Sequence, residues 1–121
     1  MKSILLVICM FFAFSGASQV EWSTGKSFDF GDIEKDTPVT TTFTFKNNST
    51  QPIVVEMVRS TCGCTVPKWS EEPVEPGQTG DIKVVYDAKK NGYFRKRIKV
   101  FFVGVRKANK LDVQGDVFEY E

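Results

Sequence analysis

The sequence has 121 residues, with 16 lysines and arginines against 15 aspartates and glutamates, and it contains no histidine. The length suits one small domain, and the near-neutral charge argues against nucleic acid or an anionic lipid surface as a partner. Without histidine the chain has neither a Ser-His-Asp nor a Cys-His catalytic device, and no histidine-ligated zinc. We therefore predict a protein that is not an enzyme and that needs no cofactor.

The first 18 residues have the pattern of a secretory signal peptide. A lysine supplies positive charge, the apolar run Ile4–Phe14 follows with 11 residues, and small residues come next. The run is too short for a good membrane span, and cleavage after Ala17 fits as well as cleavage after Ser18. We therefore expect a signal peptide at residues 1–18 and a mature domain at residues 19–121. The product should be exported, to the periplasm or the exterior, and its mature chain should be without a membrane span.

The remaining sequence alternates apolar and polar side chains, as half-buried strands do. The pattern is clearest in Val39–Phe45, where apolar residues alternate with threonines. Further strands are predicted at Phe28–Phe30 (closed by Gly31), Ile53–Val58, Asp81–Tyr86, Tyr93–Val103 and Leu111–Val117. No helical period follows the signal peptide. About seven short strands separated by turns predict an all-β, immunoglobulin-like antiparallel sandwich of two sheets, in one domain.

The mature region has two cysteines, Cys62 and Cys64, on either side of Gly63. In an extended strand, Cα atoms two residues apart are separated by about 6.6 Å, near the upper limit of about 6.8 Å for a disulfide. Gly63 would supply the required bend, because glycine adopts backbone angles closed to other residues. Closing so small a loop contributes only about 1.6 kcal/mol, against about 4.7 kcal/mol for a hundred-residue loop. A disulfide here would contribute little to the stability of the fold.

Three interpretations of the cysteine pair remain open. Cys62 and Cys64 can be an inert clip or two small apolar side chains. They can also be a thiol-exchange site, because the oxidising compartment permits a disulfide and a small strained ring is easy to reduce. They can also hold Cu(I), which accepts two thiolates, whereas zinc takes four ligands. We predict no resident metal, and the same two cysteines are the candidate ligands if Cu(I) binds.

Two other features suggest a contact surface. Strand alternation in Tyr93–Val103 puts four side chains on one face: Arg95, Arg97, Lys99 and Phe101. This face is either a solvated surface that blocks pairing between sheets or a patch that binds an anionic glycan or another partner. Trp69, which we place in the loop after the cysteines, is either a core side chain or an exposed anchor.

Six segments in a fixed order resemble a known family. They are FDFGDI (Phe28–Ile33), TFTFKNNSTQPI (Thr42–Ile53), CGCTVP (Cys62–Pro67), VEPGQTGDIKVVYDA (Val74–Ala88), GYFRKRIKV (Gly92–Val100) and LDVQGDV (Leu111–Val117). Over residues 26–118 the chain is similar to the exported bacterial family called domain of unknown function 1573, common in Bacteroidetes. The most specific matches are the Cys-Gly-Cys segment and a Pro-Gly-x-x-Gly turn, which add Gly63, Thr65, Pro67, Pro76, Gly77 and Gly80 as motif residues. The chain departs from the family pattern after Phe102.

The resemblance implies an immunoglobulin-like fold similar to Hydin-type and chaperone-like sandwiches, and it implies no established activity. Our prediction is a non-catalytic binding module of the bacterial cell envelope. It would contact an envelope protein or polysaccharide through sheet edges or through the loops around Cys62–Trp69. The alternative is a periplasmic thiol-redox or Cu(I)-binding protein that acts through Cys62 and Cys64. The sequence carries no signal for the oligomeric state.

Overall fold

Alternating apolar side chains build eight strands in the computed structural model, which describes residues 19–119. The strands are β1 (Val20–Trp22), β2 (Ser27–Glu34), β3 (Val39–Asn47), β4 (Val55–Ser60), β5 (Thr65–Trp69), β6 (Thr79–Tyr86), β7 (Gly92–Phe102) and β8 (Asn109–Phe118). Across this range no helix is long and apolar enough to cross a membrane. The predicted signal peptide, residues 1–18, lies outside the described residues.

The strands form two four-stranded sheets. Sheet 1 has the order β1-β3-β6-β5, and sheet 2 has the order β2-β8-β7-β4. The prediction of an immunoglobulin-like sandwich of two sheets is confirmed. Neighbouring strands run antiparallel except β2 and β8, which run parallel. These two strands are far apart in the sequence, so no tight hairpin fixes their relative direction.

The hydrophobic core lies between the two sheets, where β3, β6, β7 and β8 contribute alternate side chains. Sheet 1 contributes Phe43, Phe45, Ile82, Val84 and Tyr86, and sheet 2 contributes Phe94, Ile98, Val100, Phe102, Leu111, Val113 and Val117. Burial of each large apolar side chain contributes about 1.5–3 kcal/mol relative to exposure. The alternation predicted for β3, β6, β7 and β8 is therefore what holds the sheets together.

Two strands differ from the predicted ones because of local irregularities. The first predicted strand was expected to end at Gly31, but β2 continues to Glu34. Its register shifts between Asp29 and Asp32, and Gly31 lies in that shift with a φ of +74°, so the glycine forms a bulge and does not end the strand. The strand expected to begin at Ile53 begins two residues later, because Ile53 forms an isolated bridge with Val74.

Two further strands were not predicted. β1 has only three residues, too few to show an alternating pattern. Pro67 is the middle residue of β5. A proline within a run of strand-forming residues argues against a strand in the interior of a sheet. Both are edge strands, where proline is tolerated. The placement of Trp69 in a loop was wrong, because Trp69 is the last residue of β5.

Candidate functional site

The two cysteines lie in the turn that joins β4 to β5, and we call residues 61–64 the cysteine turn. Since β4 and β5 are edge strands of different sheets, this turn crosses from one sheet to the other. The structure joins Cys62 and Cys64 by a disulfide, with their Cα atoms 5.3 Å apart. That distance is inside the usual range for disulfides and shorter than the separation in an extended strand.

The bend does not depend on the special backbone freedom of glycine. Gly63 is outside the left-handed region, and a Cβ atom added to it would meet nothing within 4 Å. The expectation that Gly63 adopts angles closed to other residues was therefore wrong. The turn is closed by the hydrogen bonds of its neighbours, and an alanine would fit at this position.

Hydrogen bonds hold both ends of the cysteine turn. The hydroxyl of Ser60 lies 2.8 Å from the carbonyl oxygen of Cys62 and 2.8 Å from that of Thr65, and donates to one of them. The N–H of Thr65 donates to the carbonyl of Cys62 at 3.3 Å. The N–H of Cys64 points at the Cys62 sulfur, 3.3 Å away. The turn is thus ordered by polar contacts in addition to the disulfide.

The sulfur atoms occupy a half-buried position. Both cysteines are partly exposed, and Cys64 packs against the core cluster. Its sulfur lies 3.7 Å from the hydroxyl of Thr65, a residue that is buried in β5. The disulfide therefore joins two half-buried residues, one of which rests on the core.

The free edge of β5 resists pairing with another strand. The N–H of Asp87 donates to the carbonyl of Cys64 at 3.0 Å. Because hydrogen-bonded pairs alternate along an antiparallel ladder, the backbone of Val66 and Lys68 points toward β6. The intervening Pro67 faces the free edge, where it has no N–H to donate. A partner can therefore contact this edge through side chains more readily than by adding a strand to the sheet.

The side chains next to the cysteine turn form a mixed surface. Val66 is 46% exposed. Trp69 is half-buried against the core, and its indole Nε1 is buried without a hydrogen-bond partner among the described residues. Lys68, Trp69 and Glu71 line a shallow depression. We call Val66, Lys68 and Trp69, together with the cysteine turn, the β5 corner.

The four residues predicted to share a face of β7 all lie on the outer face of sheet 2. Arg95, Arg97 and Lys99 are exposed and Phe101 is half-buried, whereas their neighbours along the strand face the core. Together with Thr61 of the cysteine turn, the two arginines line a shallow depression. The structure therefore brings one edge of the predicted basic face next to the predicted cysteine site.

A carboxylate from β8, which sequence reasoning did not pair, divides this basic face. Arg97 Nε donates to Asp112 Oδ1 at 3.0 Å, and the Nη2 atoms of Arg95 and Arg97 each lie 3.4 Å from Oδ2. The hydrogen bond from Arg97 lowers the pKa of Asp112, with smaller help from the charges of both arginines, and it raises the pKa of Arg97. Two of the three predicted cations are thus partly neutralised, and Lys99 is not.

The motif glycines of the connection into β6 have structural roles. Gly77 has a φ of +83°, and its N–H donates to the carbonyl of Asn47 in the turn that follows Pro76. Gly80 lies against the ring of Phe45, where an added Cβ would come within 2.5 Å of Cζ. These residues shape the connection into β6 and expose no reactive group.

One cavity was not predicted from the sequence. A cleft of about 660 Å³ opens where β7 is joined to β8, with Val20, Phe102 and Val105 among its apolar lining and Lys26 and Arg106 among its cations. Its apolar floor consists largely of core side chains that are already buried. In the described part of the chain, no three residues of the usual metal-ligating types are grouped to hold a metal ion.

Comparison with known proteins identifies the fold and a family. The family model described as "Protein of unknown function (DUF1573)" matches residues 20–117. No curated protein matches the sequence. The PapD-like domain 7 of human CEP192 superposes with a TM-score of 0.69 at 11% identity, covering 89% of this chain and 94% of that chain.

Two bacterial structures are also similar. A protein of unknown function from Porphyromonas gingivalis W83 has a TM-score of 0.68 at 13% identity, over 88% of this chain and 51% of that chain. The Vibrio cholerae VesB protease has a TM-score of 0.66 at 14% identity, over 81% of this chain. This chain spans only 32% of the protease. Identities this low show a shared sandwich fold and carry no activity with them.

Proposed function

This chain belongs to the DUF1573 family, and we propose that it is a non-catalytic binding module exported to the bacterial cell envelope. The observation that carries the proposal is the β5 corner, where exposed apolar surface stands beside an ordered, disulfide-closed turn. Binding sites are commonly formed by loops that a rigid scaffold positions. At this corner the scaffold is the pair of sheets and the ordered loop is the cysteine turn.

The proposed partner at the β5 corner is an envelope protein. Val66 is exposed on the outer face of β5, while Trp69, on the opposite face, is half-buried and lines a shallow depression with Lys68 and Glu71. An apolar centre with a polar rim is the usual anatomy of a protein interface. Because Pro67 interrupts the free edge of β5, the partner would bind through side chains and would not add a strand to sheet 1.

A matched pair of valine variants tests this site. Val66→Glu places a charge in the β5 corner, and Val103→Glu places the same charge on a valine that is 58% exposed outside the strands. We expect Val66→Glu to reduce the recovery of a crosslinked envelope protein by about tenfold, as the loss of an interface centre does. The control should recover it normally. Equal recovery by both variants would show that the corner is not the binding site.

Export is tested separately, by the mass of the protein recovered from the cell envelope. A chain beginning at Ser18 or Gln19 is the expected product, since cleavage after either Ala17 or Ser18 fits the signal pattern. Recovery of the uncleaved chain from the cytoplasm would contradict the proposal.

A second candidate function is thiol exchange at the cysteine turn, favoured by the partial exposure of the disulfide and by the N–H that points at the Cys62 sulfur. An external thiolate would attack one sulfur, forming a mixed disulfide and releasing the other cysteine as a thiolate. A second external thiolate would then attack the mixed disulfide. The products are the external disulfide and, after uptake of two protons, the dithiol protein.

Glutathione buffers of graded potential test this candidate, with mass tags that count free thiols. We expect the pair to titrate within the physiological range, since labile disulfides have higher potentials than structural ones. In the mature chain, the variant Cys62→Ser/Cys64→Ser should take no tag. If the pair stays oxidised in every buffer, thiol exchange is contradicted and the disulfide has only a structural role.

A further inference from the structure

The outer face of sheet 2 carries three cations in direct register across three strands. Arg59 of β4 is opposite Lys99 of β7, and Lys99 is opposite Lys110 of β8. All three side chains are exposed. We call these three residues the basic row.

The basic row is not neutralised by the protein. The ion pairs found within residues 19–119 involve Lys35, Arg95 and Arg97 and no member of the row. Arg59 makes one polar contact, from its Nε to the Met57 sulfur at 3.3 Å. Like charges directly opposite each other on neighbouring strands lower stability. The row therefore has a cost that a bound anion would remove.

The neighbouring rows differ in chemistry. On one side, Arg97 is opposite Asp112 and forms an ion pair with it. On the other side, Met57 is opposite Phe101, and both are half-buried. The uncompensated charge is thus confined to one row, with an apolar strip that includes an aromatic ring beside it.

The apolar strip beside the row favours one kind of polyanion. Neighbouring strands lie about 4.8 Å apart, so the three cations leave their strands at about that interval. Their long side chains can follow the anionic groups of an extended polymer. The ring of Phe101, next to the row, suits the C–H face of a sugar better than it suits the carboxylates of an acidic peptide.

We propose that the basic row binds a linear anionic polysaccharide that carries a carboxylate on each sugar, with Phe101 contacting a sugar ring. The row lies in the opposite sheet from the β5 corner. A glycan could therefore bind here whether or not a protein binds there, and the two proposals fail independently.

The test is titration of the purified full-length mature protein with polygalacturonate oligomers at low and moderate salt. Lys99→Gln/Lys110→Gln removes two charges from the row. Lys46→Gln/Lys83→Gln is the matched control, because these lysines are also exposed strand residues but lie in sheet 1, outside the β5 corner. We expect the row variant to weaken binding about tenfold or more and the control to stay within about twofold. Wild-type binding should weaken as salt rises, since salt screens exposed charges.

Two further probes identify the ligand class. Polyglutamate should bind at least about tenfold more weakly than the oligouronate, and Phe101→Leu should weaken only the oligouronate, if a sugar ring contacts that side chain. Equal affinity for both polymers, with no effect of Phe101→Leu, would overturn the proposal in favour of an acidic protein. Equal losses in the two lysine variants, or no binding of oligouronate by the wild type, would also overturn it.

Discussion

At the scale of single residues, the two motif glycines of interest have opposite requirements. Gly63 belongs to the most recognisable segment of the sequence, yet open space surrounds the position that a Cβ would take. Gly80 looks like an ordinary turn glycine, yet Phe45 fills the space beside it. The sequence pattern shows where glycines occur, whereas the packing around each one decides which is needed.

We therefore predict different effects of alanine at these glycines. Gly80→Ala should lower the free energy of unfolding by about 1–3 kcal/mol, since the new methyl group overpacks against a buried ring. Gly63→Ala should be neutral or should raise it by about 0.4–1 kcal/mol, because alanine restricts the unfolded chain. Urea denaturation of the two variants measures both values. A large loss of stability in Gly63→Ala would show that the cysteine turn needs glycine.

A second residue-scale prediction concerns Asp112 and pH. Because its arginine partners hold the pKa of Asp112 below its ordinary value, the folded state binds the proton less readily than the unfolded chain does. This stabilisation is complete above about pH 4, the ordinary range for an aspartate, and is lost as the pH falls through the lowered pKa.

Asp112→Asn should thus lower the free energy of unfolding at pH 7 by no more than about 1 kcal/mol, since both arginine partners are exposed and water screens the pair. The difference from wild type should shrink as the pH falls from 4 toward 2. Unfolding titrations across that range check it. Asp116→Asn is the control, because Asp116 is an exposed carboxylate of the same strand and makes no ion pair within the described range. A difference that persists unchanged at pH 2 would contradict the ion-pair explanation.

At the scale of elements, alternation predicted the strands that bury a full face and missed the edges. β3, β6, β7 and β8 were evident because every second side chain enters the core. β5 was missed because Pro67 suits an edge strand and argues against a central one. The bulge at Gly31 was read as an end because one residue of shifted register looks like a break in the pattern.

Strand register was the information that the candidate site needed and that the sequence lacked. The basic face of β7 could be predicted, since alternation acts within one strand. The pairing of Arg97 with Asp112, and of Lys99 with Arg59 and Lys110, depends on how neighbouring strands align. The cysteine pair was found because its members are only two residues apart in the sequence, whereas the nearby arginines come from a strand about thirty residues later.

At the scale of the whole molecule, charge is balanced overall and unbalanced locally. The chain has nearly equal numbers of acids and bases, yet the basic row has no acidic partner across the strands. We predict that Lys99→Gln/Lys110→Gln leaves the fold intact and raises the free energy of unfolding at low salt by about 0.2–1 kcal/mol, because it removes like charges in register.

Added salt should reduce that gain, since it screens the same repulsion in the wild type. Thermal unfolding at two ionic strengths measures the effect. A loss of stability in this variant would mean that the lysines make favourable contacts within the domain, and that the basic row is not under strain without a ligand.

The parallel pairing of β2 with β8 also determines when sheet 2 can form during synthesis. Gln114 donates to Asp29 at 3.2 Å across a sequence separation of 85 residues. A chain that is synthesised or exported from its N-terminus therefore releases β2 long before β8, its ladder partner within residues 19–119, exists. Until β8 arrives, both β2 and the β8-facing side of β7 present unpaired backbone that other chains can capture. Nascent copies would then be most prone to aggregate between the appearance of β7 and that of β8, and a chaperone would be most useful in that interval.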